Sequence, residues 1–439
     1  MTDFTYDRQT LSDLEIFREE RRQSPSVFSL FNETLTPGGS TALKDIMSHP
    51  YADQTYLQQR IALFQYLNAR NISIPLRSHQ VEAIERYLEL SIPILKPNFL
   101  DRWYKKVSEW LTPTNEYYLI TTGIRQLLTT LKMIHEQIDF DDEALPELLK
   151  KETREIQKIH QLMKLRVPPR QPSIHKLATS LDQFFRKAAK ERIIALVQEV
   201  YRLDAFIAIA KSKEINGFHY PEYSSSGRPN VDFKALRHPL LSDAVPYHFQ
   251  NEDTVNMCFL TGPNMAGKST FLKAVGIAIY LAHLGFPIPA RSARLSVYKG
   301  LITTINLSDD LGLGHSHYFA EVNRVREVAD LLHQQQPLLV IFDELFRGTN
   351  VKDAFDASRE VISAFARLRQ STFLISTHIV EVAEVLDHRE TIQFKYMDLT
   401  WEKGEPAYHY KLKAGVSGER LGMHIIRKAG ILETLKAIN

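Results

Sequence analysis

The string Gly262-Pro263-Asn264-Met265-Ala266-Gly267-Lys268-Ser269-Thr270 constrains this 439-residue chain more than any other. A short apolar run, Met257 to Leu260, precedes it, and a helical pattern follows from about Ser269 to Leu284. Gly262 and Gly267 let backbone N–H groups turn inward, and the next helix adds free donors and the positive end of its dipole. The product is a cradle for phosphate oxygens. Lys268 can reach the outer phosphates of a nucleotide, and the Ser269 hydroxyl can hold Mg²⁺. Every residue of the string is a candidate contact for ATP. The required strand–loop–helix context places an α/β domain around it.

A second phosphate element lies about 75 residues further on. The run Leu338-Leu339-Val340-Ile341-Phe342 reads as a buried parallel strand, and it ends in Asp343-Glu344. An Asp at that end supports Mg²⁺, and the adjacent Glu can polarise a water for in-line attack on a γ-phosphate. Asp343 is thus the second metal candidate beside Ser269, and Glu344 the catalytic base. Another apolar run, Phe373 to Ser376, leads to Thr377-His378. A lone His is more often structural. Its place after the preceding acidic strand makes His378 a candidate sensor of the γ-phosphate. Between these elements, Gly312, Gly314 and Ser316 lead into a helical pattern. Alone, that is a capped helix start.

The texture of the chain changes along its length. Up to about residue 210 the periodicity is helical and glycine is scarce; after about residue 230 short β-branched runs alternate with helices. The expected fold class is α + α/β: an all-helical part over residues 1–225, then an α/β P-loop domain over 226–439, with residues 221–230 as linker. Two long helical patterns, at about 144–165 and 173–210, flank a Pro-rich break at 167–172. They read either as an antiparallel arm or as part of an ordinary bundle. Lys150, Lys151, Arg186, Lys187 and Lys190 are candidates for phosphate contacts or simply solvated helix faces.

Composition excludes several classes. With 44% hydrophobic and 24% charged residues the chain is an ordinary globular one. A net charge of +2 carries no signal for nucleic acid, so any basic surface must be local. Cys258 is the single cysteine, which excludes an intramolecular disulfide and a Cys-rich zinc site. No signal-peptide pattern opens the chain, and its most apolar stretch is too short and mixed to span a bilayer. A cytoplasmic protein without a membrane partner is expected.

These strings, in order and spacing, resemble the ATPase domain of the MutS mismatch-repair family: GPNMAGKST, DDLGLGHSHYFAEV, LVIFDELFRGTN and ISTH. Arg237-His238-Pro239-Leu240 looks like the motif that precedes the loop in that family. Towards the N-terminus, residues 10–15, 30–39, 59–61 and 203–205 resemble landmarks of its helical core domain. The resemblance implies an ABC-type ATPase working as a homodimer through its ATPase domain. It gives the helices near 140–210 a lever role and places dimerising helices at the C-terminus. It makes Ser316 the signature serine, reaching the γ-phosphate in the partner's site. Asn264 becomes a γ-phosphate contact, and Phe249 an aromatic stacked on adenine. Glu344, Lys268, Ser316 and His378 form the implied catalytic set, with ATP and Mg²⁺ as cofactors.

Departures are visible. His317 stands for the family's threonine after the signature serine, and Phe346 for its glycine after the acidic pair. The chain opens in the core-domain pattern, so the mismatch-reading and connector domains are expected to be missing. The function implied is ATP-dependent DNA binding, in mismatch repair or related DNA-structure sensing, with a possible repair-protein partner. Two other readings stand beside it: a nucleotide-switched dimeric adaptor for a protein partner, and a MutS2-like factor acting on branched DNA or ribosomes.

Overall fold

The computed structural model describes residues 3–17, 25–95, 115–166, 174–224, 229–251, 254–306, 317–346, 349–386, 389–402, 405–417, 430–431 and 434. The chain forms two compact units. One comprises residues 1–29, 49–57 and 216–439; the other comprises 30–48 and 58–215. The division is therefore not a single cut near residue 225, because the first 29 residues group with the C-terminal part.

Among the described residues the unit of 30–48 and 58–215 is helical. Its helices include Pro37–Met47, Ser78–Glu89, Asn115–Gln137, Arg154–Arg166 and most of Lys190–Asn216. The start of Pro37–Met47 shows how sequence sets structure here. Thr36 is its N-cap and accepts from Gly39 N at 2.9 Å, and Pro37 supplies the preset φ of a first helical residue. Asp204 accepts from Leu35 N at 3.0 Å, Thr36 N at 2.9 Å and Thr36 Oγ1 at 2.7 Å. A Cβ at Gly39 would lie 2.2 Å from Asp204 Oδ2, and one at Gly38 would lie 2.3 Å from the Tyr201 ring. Two sequence landmarks far apart in the chain thus meet, and glycine is what lets them. Five residues before Asp204 on the same helix, Glu199 accepts from Glu155 N and Ile156 N, capping Arg154–Arg166.

The long pattern expected over 173–210 is not one continuous α-helix. Ile174–Gln183 passes into a π turn, Phe184–Ala188, before Lys190–Asn216 begins. At this turn Arg186 is buried; its guanidinium pairs with Asp182 at 2.6 and 2.7 Å and donates to Ile92 O at 3.0 Å. Arg186 is therefore not available to a phosphate, contrary to the sequence expectation. Lys150 is tied to Glu147 at 2.8 Å.

The other unit holds two sheets. Its strands in chain order are Glu222–Tyr223 (β1), Val231–Leu236 (β2), Tyr247–Gln250 (β3), Met257–Thr261 (β4), Ser292–Leu295 (β5), Gly300–Thr304 (β6), Leu338–Phe342 (β7), Thr372–Ser376 (β8), Ile392–Glu402 (β9) and Glu405–Ala414 (β10). A smaller sheet runs β1-β5-β2-β3 and a larger one β10-β9-β4-β8-β7-β6. In the larger sheet only the β9–β10 pair is antiparallel. Every residue of β4, β6, β7 and β8 is buried, as continuous apolar strands covered on both faces should be. Phe342, Phe365 and Phe373 stack in a row, joining β7 and β8 to the helix Val351–Ala366. This core fixes the carboxyl ends of β4, β7 and β8 side by side, where a parallel sheet binds its ligands.

Candidate functional site

The loop after β4 and Glu344, just after β7, line one pocket of about 530 Å³. Its lining includes Pro263, Asn264, Met265, Gly267, Lys268, Ser269, Thr270 and Glu344 from the sequence-predicted set. The loop backbone takes the shape its glycines permit: Gly262 has φ of 138° and Gly267 of 97°. Gly267 is the N-cap of the helix Lys268–Ala282, so free N–H groups face the pocket at a helix start. Met265 also takes a left-handed φ, 67°, and is 78% exposed.

Lys268 curls back into the loop, donating to Gly262 O at 2.9 Å and Pro263 O at 3.2 Å. Burial lowers its pKa, while the Glu344 and Asp343 carboxylates pull the other way. A desolvated ammonium ringed by carbonyls is a strong attractor for phosphate oxygens.

The acidic strand end meets this loop directly. Ser269 Oγ hydrogen-bonds Asp343 Oδ2, and Ser376 Oγ at the end of β8 hydrogen-bonds Asp343 Oδ1. Glu344 N donates to the same Ser376 hydroxyl at 3.0 Å. His378 Nε2 lies 2.5 Å from Glu344 Oε1. Ser269, Asp343, Glu344 and His378 thus form one connected set, from elements that the sequence keeps over a hundred residues apart. The hydroxyl and carboxylate of Ser269 and Asp343 are hard oxygen donors, the type that suits Mg²⁺.

The chain turns sharply after β7. Glu344 has φ of 63° and Phe346 of 60°. Phe346 is the position where the resemblance places a glycine, so the left-handed backbone is kept without the residue that favours it. Its ring is buried and packs 5.9 Å from that of Tyr318, which holds the turn.

Phe249 does not line the pocket. It is 2% exposed, paired in register with Phe233 of β2 and packed 5.3 Å from Phe271. Its neighbour on the same face of β3, Tyr247, does line it, and so does Tyr410 of β10. A Cβ at Gly267 would sit 3.0 Å from Tyr410 Cδ1 and 3.7 Å from Tyr247 Oη. Burial pushes the Tyr247 hydroxyl up to about 12. Strand alternation puts residues 247 and 249 on one face and so makes Tyr247 the alternative to Phe249, but it does not say which end of β3 reaches the loop. No local signal could have found Tyr410. It arrives by a register shift between Tyr408 and Leu412 and a φ of 53°. Ser316 lies outside the described residues, as do Arg347 and Gly348.

The family model of MutS domain V matches residues 258–437. That match covers most of the pocket's lining, and the chain is similar to MutS proteins over a longer stretch. The DNA mismatch repair protein MutS of Chlamydia pneumoniae is 28% identical over 345 residues, covering 73% of this chain and 41% of that protein. MutS of Lactobacillus delbrueckii subsp. bulgaricus is 31% identical over 260 residues, covering 56% of this chain and 29% of that protein. For MutS of Anaplasma phagocytophilum the identity is 30% over 238 residues, 53% of this chain and 28% of that protein. The chain spans less than half the length of each of these relatives. Among its described residues, no helix is long and apolar enough to cross a membrane.

Proposed function

We propose that this chain is a cytoplasmic ABC-type ATPase of the MutS family that binds ATP with Mg²⁺ and hydrolyses it. As a homodimer through the unit containing the larger sheet, it couples nucleotide state to its hold on DNA, in mismatch repair or related DNA-structure sensing. The helical unit serves as its DNA-facing core. The observation that carries the ATPase reading is one pocket lined by Lys268, Ser269 and Glu344, with Asp343 hydrogen-bonded to Ser269 and His378 to Glu344 just behind it.

Each residue then has a physical task. The loop N–H groups and Lys268 hold the phosphates, and Tyr410, 39% exposed at the pocket wall, offers a face for the base. Ser269 and Asp343 would hold Mg²⁺, which when bound neutralises charge on the outer phosphates. Glu344 accepts a proton from the attacking water. His378, with its proton on Nε2, donates to one Glu344 oxygen and leaves the other facing the water. Ser316 acts on the nucleotide of the partner subunit.

The test is binding to matched, mismatched and branched duplexes, with and without ATP, over a salt series. Nucleotide-dependent binding with a steep salt slope supports the DNA reading, because phosphate contacts release counterions. Absence of binding at low salt, with ATP hydrolysis intact, returns the adaptor reading.

A further inference from the structure

On one face of β3 two aromatic residues pack against the same ring. Tyr247 and Phe249 both meet Phe271 of the helix Lys268–Ala282 edge-on, at 5.2 and 5.3 Å. Both are buried, at 3% and 2% exposure. Phenylalanine therefore suffices for this packing, and the hydroxyl of Tyr247 is an addition to it. The two differ in position: Tyr247 lines the pocket and Phe249 does not.

Buried tyrosine hydroxyls usually find a partner. Tyr87 Oη donates to Asp182 at 3.0 Å, and Tyr298 Oη pairs with Thr372 Oγ1 at 2.9 Å. Among the described residues no hydrogen bond reaches the hydroxyl of Tyr247. The Tyr220 hydroxyl is unpaired as well, but Tyr220 does not line the pocket. A Cβ at Gly267, the N-cap of the loop helix, would lie 3.7 Å from Tyr247 Oη. An unpartnered donor thus stands beside the helix start, where free N–H groups favour an anion.

The chemistry of the phenol fits such a ligand. Burial first, and the neighbouring Tyr410 second, keep its proton on well past neutral pH, so the group is a neutral donor. A phosphate oxygen only accepts, and it can take this bond along with those of the loop N–H groups. We propose that the Tyr247 hydroxyl donates to a phosphate oxygen of bound ATP at the start of the loop helix. This deepens the ATPase reading above and rests on it.

The test is equilibrium titration of wild type and Tyr247→Phe with Mg-ATP, its 2′,3′-dideoxy analogue and Mg-ITP, beside thermal midpoints without nucleotide. The variant should bind all three more weakly by one common factor of about tenfold, the scale of a hydrogen bond to a charged group. Its midpoint should stay level or rise, because the hydroxyl holds nothing within the fold. A Kd for ATP within about twofold of wild type overturns the proposal. So does a loss that disappears when the sugar hydroxyls are removed, or that changes with the base, since the contact is then not to phosphate. A midpoint well below wild type overturns it too, because the hydroxyl would then have a partner in the fold. Failure of the ATPase reading looks different: wild type itself would bind none of the three nucleotides.

Discussion

Two pairs of carboxylates in this molecule are held in opposite ways. Glu199 and Asp204 sit on one helix of the helical unit; Asp343 and Glu344 sit at the end of β7. The first pair accepts from backbone N–H groups of Glu155, Ile156, Leu35 and Thr36. Burial raises the pKa of both. The second pair accepts from groups that can let go: the hydroxyls of Ser269 and Ser376, and the imidazole of His378. A backbone N–H cannot be redirected without refolding the chain, whereas a hydroxyl rotates and can offer its oxygen to a cation instead. Saturation by backbone marks a carboxylate that holds structure. Rotatable partners beside a pocket mark one that can take part in a reaction.

The sharpest break of that distinction is at Lys268. Lys268→Ala removes the ammonium from the phosphate cradle, and ATP binding should weaken by about a hundredfold or more with the thermal midpoint little changed. Equilibrium titration with a fluorescent ATP analogue measures it; retained tight binding would remove the site assignment. Next is Glu344→Gln. It should bind ATP normally and lose roughly 10²- to 10³-fold in kcat, the usual scale for removing a general base. Normal turnover in single-turnover phosphate release would mean that another group activates the water.

Both expectations were legible in the sequence because the chemistry is local. A glycine loop between a strand and a helix, and an acidic pair after an apolar strand, each need only a few adjacent residues. The strand Leu338–Phe342 lies where its apolar run predicts, and the strands at 257 and 372 extend the predicted runs by one residue each. What long-range packing decides was hidden. Asp13 and Thr303 are 290 residues apart, so no periodicity could place Asp13 beside β6. Arg186 looks like any surface arginine until the π turn buries it against Asp182. Phe249 was displaced by its neighbour because strand alternation gives the face, while only the tertiary fold shows which end of β3 reaches the loop.

The helical unit offers the converse test. Asp204→Ala should destabilise that unit by about 2–4 kcal/mol, since it strands the buried N–H of Thr36 and the part-buried one of Leu35 and removes the anchor of the cap hydroxyl of Thr36. ATP affinity should not move. Urea unfolding beside nucleotide titration separates the two quantities, and a parallel loss of ATP affinity would mean that Asp204 is more than a structural carboxylate.

The smallest effect uses the same contrast between two histidines. His378 touches an exchangeable partner, but both ring nitrogens of His283 are committed to backbone. Its Nδ1 lies 2.8 Å from Ile279 O and its Nε2 accepts from Tyr298 N at 2.9 Å. That pattern demands the neutral ring with the proton on Nδ1, since a second proton on Nε2 would face an N–H donor. Burial accordingly lowers its pKa to about 4, against an ordinary value of 6.5. Between those values the unfolded chain takes up a proton that the folded chain refuses, so stability is held above about pH 6.5 and falls as pH drops towards 4. The slope from this one group is at most about 1.4 kcal/mol per pH unit. Urea midpoints from pH 7 to pH 5 should fall in wild type and fall less steeply in His283→Gln, whatever that variant's stability at pH 7. An identical slope in both proteins would show that the ring can leave its backbone partners, and that commitment to backbone does not by itself hold a titrating group in one state.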